Sequence, residues 1–93
     1  MSGYGHLADD ELRAIGRLRC VVPGCGRTHK CGTEIEATIC GPHWRLADRR
    51  LRRLMTQVER KAKRIGWTMA LLRLHDRLWQ TCTRQAIERA MGL

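Results

Sequence analysis

Ninety-three residues suffice for one small domain, and three Trp, one Tyr and no Phe leave its core to Leu, Ile, Val, Met and Ala. That palette suits packed helices better than a sheet sandwich. A net charge of +9, from 18 Lys and Arg against nine acids, selects anionic partners, with nucleic acid first and an acidic protein surface second, while no apolar run approaches the ~20 residues needed to span a bilayer.

Residues 1–18 form an N-terminal tail and a short helix. Residues 1–7 are Gly-rich and read as loose. Residues 8–18, ADDELRAIGRL, place Asp9, Asp10 and Glu11 in a first helical turn and Arg13 and Arg17 later, as the helix dipole favours. The N-terminus has neither a basic start nor an apolar centre, so it does not read as a secretory signal. Five cysteines are an odd number. Together these point to metal binding in a reducing cytoplasm rather than to a disulfide framework.

Residues 19–43 change character. They hold both prolines, several glycines and closely set ligand-type residues, with room for two short strands around Cys20–Val22 and Glu36–Ile39. Cys20-x4-Cys25 and Cys40-x2-His43 are two ligand pairs joined by a loop, the pattern of one four-coordinate structural Zn2+ site. Thiolate and imidazole suit the borderline softness of zinc. Pro23 and Gly24 turn the chain so that both sulfurs of the first pair can face one ion. The second pair sits at a helix start, which also favours the thiolate. Cys31 and His29 lie between the pairs and stay open as ligands, although the better geometry of the outer pairs makes Cys31 a spare thiol. Cys82 reads as a core residue, and His6 and His75 as surface residues.

The rest reads as helix. Residues 42–65 form a basic amphipathic helix whose apolar positions run Trp44, Ala47, Leu51, Leu54, Met55, Val58, Ala62 and Ile65, a seam about 100° wide. Pro42 suits the first turn, and Gly66 after Lys61, Lys63 and Arg64 marks the C-terminus. Thr68 caps a second helix over 68–91. Equal lengths of about 24 residues, roughly 36 Å each, and a short turn make an antiparallel hairpin, against the rival of one helix running on through Gly66. The second helix carries the wider apolar face. Its surplus around Leu72, Trp79, Ala86 and Ala90 calls for a further cover, either the short N-terminal helix or a second copy in a homodimer.

CVVPGC…ICGPHWR, a Cys-x4-Cys pair, then Cys-x2-His, an aromatic and a basic helix, resembles the treble-clef-like zinc-binding modules of small bacteriophage and prophage proteins, some of which accompany HNH endonucleases. The likeness covers Cys20 to Leu46. It implies Cys20, Cys25, Cys40 and His43 as zinc ligands. The fold class expected is thus mainly α: a small zinc-bound treble-clef-like knuckle, then a long helical hairpin, with a short N-terminal helix.

Nuclease activity does not follow from that likeness. A hydrolytic metal site needs further His, Asp or Asn ligands and open coordination positions. Outside the zinc pairs the chain offers only His6, His29 and His75, and it has no Asn. The function expected is therefore non-catalytic.

Residues 44–66 carry nine cations against Asp48 and Glu59, a net +7. Arg45, Arg49, Arg50, Arg52, Arg53, Arg60, Lys61, Lys63 and Arg64 project into an arc of about 180° opposite the apolar seam. Like charges so gathered repel one another unless anions are near. Arginine forks match phosphate oxygens, so backbone-dominated, salt-sensitive binding of DNA or RNA is expected. The alternative is a small adaptor or inhibitor that docks on a host or viral protein through the hairpin. A membrane role is disfavoured, because the narrow apolar stripe of the basic helix is needed by its hairpin partner.

Overall fold

The computed structural model describes residue 4, residues 6–32 and residues 35–93; residues 1–3 and 5 of the expected loose tail lie outside the described residues. The elements in chain order are α1 (Asp9–Ala14), β1 (Arg17–Arg19), β2 (Thr28–Lys30), α2 (Gly41–Trp44), α3 (Arg49–Ile65) and α4 (Met69–Ala90). Most of the described chain is helical, with one two-stranded sheet. No described helix is long and apolar enough to cross a membrane.

α1 is shorter than the 8–18 helix expected. Its start is satisfied by the Glu11 carboxylate, which accepts from the Ala8 N–H at 2.9 Å, and Leu12 is its buried anchor. The chain leaves the helix at Gly16, whose carbonyl accepts from the Cys31 N–H at 2.8 Å, so Arg17–Arg19 join β1 instead. Arg17 accordingly leaves the helix. Its Nε donates to Thr28 Oγ1 at 3.1 Å and its guanidinium lies 4.1 Å from the Tyr4 ring centroid. Arg19 ties the strand back to α1 through Asp9 at 3.1 Å.

β1 and β2 pair antiparallel in the register Arg17↔Lys30, Leu18↔His29 and Arg19↔Thr28. This ladder replaces the strands expected at 20–22 and 36–39. Those positions contribute only an isolated parallel bridge, Cys20↔Thr38, with the Val21 N–H donating to Thr38 O at 2.9 Å. The connection between β1 and β2 thus becomes a loop that presents Cys20 and Cys25.

The basic helix expected over 42–65 is broken. α2 is one turn, and residues 45–48 form a tight link in which the Leu46 and Ala47 N–H groups bond three residues back, to His43 and Trp44. Asp48 then restarts the helix. Its carboxylate accepts from the N–H groups of Arg50 and Leu51 at 2.8 and 3.1 Å, a capping role that aspartate fills better than a helix interior. α3 ends at Gly66, whose φ of +88° few other residues adopt without strain, and Thr68 Oγ1 caps α4 by accepting from Leu71 N–H at 3.2 Å.

α3 and α4 form an antiparallel hairpin: Asp48 meets Gln85 at one end and Glu59 faces His75 further along. The helices are unequal, 17 and 22 residues, because α2 and its link took the first turn. Their seam buries Ala47, Met55, Val58, Leu78 and Cys82, with Trp44, Leu51, Leu71, Leu74 and Trp79 packed around it.

The short N-terminal helix does not cover the wide face of α4. α1 packs on β1 alone among the described elements, whereas α2 packs on α4. Trp79 stacks on Trp44, their centroids 5.6 Å apart and planes 26° off parallel. Ala86 is fully buried. Ile87 packs on a second cluster formed by Cys20, Val22 and Cys40. Leu72 and Ala90 stay exposed.

A candidate metal centre and a basic helix face

Val22, Pro23, Gly24 and Cys25 form a tight turn closed by the Cys25 N–H donating to Val22 O at 3.1 Å. Proline second and a positive-φ residue third are the requirements of a type II turn, and Gly24 supplies φ +80°. The turn folds Cys25 back beside Cys20, which leaves the end of β1. Cys40 stands at the N-cap of α2 and His43 within its only turn, where Pro42 stabilises the helix start. The segment after β2 returns beside the loop through the Thr38 bridge, bringing the two pairs together.

Cys20, Cys25, Cys40 and His43 offer three sulfurs and one ring nitrogen, all within 4.8 Å of one another. Among the described residues they form the single group able to hold a metal ion. Cys25 Sγ and Cys40 Sγ are 3.8 Å apart, and Cys20 Sγ and His43 Nδ1 3.7 Å. A tetrahedral ion with ~2.3 Å bonds to sulfur has edges of about 3.8 Å, and slightly less to nitrogen. Cys40 Sγ to His43 Nδ1, at 3.1 Å, is closer than such an edge, so His43 would have to swing away from Cys40 to share an ion with it. The donor set fits.

Further groups support the sulfurs. The buried Cys40 N–H donates to Cys20 Sγ at 3.3 Å, and Arg27 Nη1 donates to Cys40 Sγ at 3.6 Å. Burial pushes the Cys20 thiol up from its ordinary value. Burial acts the same way on Cys40, but the backbone hydrogen bond of His43 and the Arg27 guanidinium outweigh it, and the thiol is shifted down. The Cys40 sulfur in turn holds the Arg27 guanidinium more firmly charged. Donors of this kind stabilise thiolate ligands. Arg27 was not singled out by sequence reasoning; its only signal is a cation two residues after Cys25.

Cys31 and His29 stay outside the cluster. Cys31 Sγ points to the His29 carbonyl at 3.5 Å, and the buried His29 Nε2 has no hydrogen-bond partner. Cys82 is a fully buried core thiol, as expected. His75 is half-buried rather than a plain surface residue, because Trp67 and Glu59 pack against it.

The cations separate into three groups. Arg49, Arg50, Arg53, Arg60, Lys61, Lys63 and Arg64 are exposed along α3. Arg45 is exposed but sits in the α2–α3 link rather than on the helix. Arg52 turns inward: it is half-buried and its Nε donates to the Ala47 carbonyl at 3.1 Å. None of these cations lies within 4.0 Å of a carboxylate among the described residues.

No protein-family model, no curated protein and no solved structure matches this chain.

Proposed function

We propose that the protein is a non-catalytic nucleic-acid-binding protein, held together by one structural Zn2+ and binding the phosphate backbone of DNA or RNA through the outer face of α3. The carrying observation is the set of seven exposed cations on that helix, none within 4.0 Å of a carboxylate among the described residues. Charges so arranged repel one another until phosphates neutralise them, and the result is affinity with little base reading.

Three thiolates and an imidazole with tetrahedral spacing favour zinc over harder cations. Four protein ligands leave no position for a reacting water, which supports a structural ion. A turn-borne pair beside a hairpin, followed by a pair at a helix start, supports a treble-clef-like module, the bacteriophage type resting on the resemblance of CVVPGC…ICGPHWR and the cytoplasm on the odd number of cysteines. Cys20, Cys25, Cys40 and His43 would hold the ion, and the ion would fix α2 and, through its link, the start of α3.

Charge reversal tests the reading. R49E/R53E/R60E should abolish retention of duplex DNA or RNA while metal content and melting temperature stay near wild type. Unchanged retention would refute it. The second reading, docking of a host or viral protein, draws on exposed Leu72 of α4, beside Asp76 and Trp79 of the same helix and Glu36 of the segment before α2. Partner binding that survives both charge reversal and added salt would favour it.

A further inference from the structure

The α3–α4 turn and the helix ends that flank it leave four large apolar side chains in solvent: Ile65 is 54% exposed, Trp67 49%, Met69 64% and Leu72 46%. The Trp67 ring is nonetheless positioned. It meets the His75 ring edge-on, centroids 5.2 Å apart and planes at 78°, and His75 faces Glu59 across the hairpin at 4.0 Å. Trp44 and Trp79 are half-buried and stack on each other against the core, so Trp67 is the most exposed of the three indoles.

Charge surrounds this tip. Lys61, Lys63 and Arg64 precede it and Arg73 follows, all exposed and none within 4.0 Å of a carboxylate among the described residues. Arg49, Arg53, Arg60 and Arg64 share a narrow strip of α3 about 22 Å long, and that strip ends at the tip. An acidic protein surface would answer the charge but not the flat ring. An anionic membrane would answer both at the tip, yet leave the 22 Å strip beyond it unused. Nucleic acid offers phosphates in a row and flat rings together.

Resting on the nucleic-acid reading above, we propose that Trp67, flanked by Ile65 and Met69, stacks on an unpaired base of the strand that the α3 cations hold. The preferred ligand is then a single strand, or a duplex with unpaired bases, over a perfect duplex. Stacking on an aromatic tolerates any base, and Ile or Met beside it can wedge between base steps.

The test uses the zinc-loaded full chain with two labelled DNAs of equal length: a perfect duplex, and one with a central bubble of unpaired thymines. Wild type should bind the bubble about ten-fold more tightly. W67A should lose that preference while keeping its duplex affinity and salt dependence, and W67F should restore it. Preference that persists in W67A, or is absent from wild type that binds duplex, overturns the tip and leaves the basic face standing. Failure of wild type to bind either DNA at low salt overturns both. Blue-shifted tryptophan emission on phosphatidylglycerol vesicles, with no quenching of emission on bubble DNA, overturns the proposal in favour of a membrane.

Discussion

The Asp48 backbone N–H donates to Gln85 Oε1 at 2.9 Å, joining the start of α3 to the last third of α4. The same aspartate caps α3 with its carboxylate. One residue thus sets both where the basic helix begins and how it lies on its partner.

Replacing Asp48 with Ala should lower the stability of the metal-loaded protein by about 1 kcal/mol, the usual cost of an N-cap. Gln85→Leu should cost a similar amount, since it leaves the Asp48 N–H without its acceptor. Asp48→Ala keeps the backbone N–H that Gln85 accepts from, so the two costs come from different hydrogen bonds and should roughly add in the double variant. Urea titrations of the three variants measure this, and no loss of stability in Gln85→Leu would show that the Asp48–Gln85 contact carries no energy.

Why the sequence concealed this break is physical. Trp44, Ala47, Leu51, Met55 and Val58 keep near-helical spacing across residues 45–48, because the tight link holds Trp44 and Ala47 on the core side. The hydrophobic pattern therefore reads straight through it, and only Asp48 marks the restart. β1 and β2 were hidden for another reason: Arg17–Arg19 and Thr28–Lys30 are three residues each, too short for an alternating pattern. The four metal ligands were legible, since their chemistry and spacing do not depend on periodicity.

Removing the metal should unfold residues 19–44. Structural zinc can contribute on the order of 10 kcal/mol to folding, more than the core of so small a chain can replace. A chelator, or Cys40→Ser, should cause a large fall in melting temperature and open residues 19–44 to proteolysis. An unchanged melt would remove the structural metal from the account.

Two glycines in the metal-binding segment should respond in opposite directions. Gly24→Ala meets no atom within 4 Å, but Gly24 has φ +80°, so the variant should lose about 1 kcal/mol through backbone strain alone. Gly41→Ala meets nothing either and sits in the first turn of α2 with no such φ, so it should be neutral or stabilising by up to about 1 kcal/mol. Equal effects in thermal melts would contradict the turn geometry.

Cys82 should make stability fall at alkaline pH. Burial raises its thiol above the ordinary value of 9.0. The fold therefore favours the neutral thiol, and this stabilisation is complete below pH 9.0 and lost as pH rises through the raised value. Cys82→Ala leaves a small cavity and should be less stable at pH 7. Its deficit relative to wild type should shrink above pH ~9. A deficit that stays constant through pH 10 would mean that Cys82 does not titrate with unfolding.

The most direct measurement is the equilibrium affinity of the zinc-loaded protein for a labelled DNA duplex at salt concentrations from about 50 to 200 mM. If five to seven of the exposed α3 cations meet phosphates, log affinity should fall against log salt with a slope of roughly −4 to −6. R49E/R53E/R60E should abolish binding across the series. A slope near zero, or no binding of duplex DNA, bubble DNA or RNA at the lowest salt, would contradict the nucleic-acid reading.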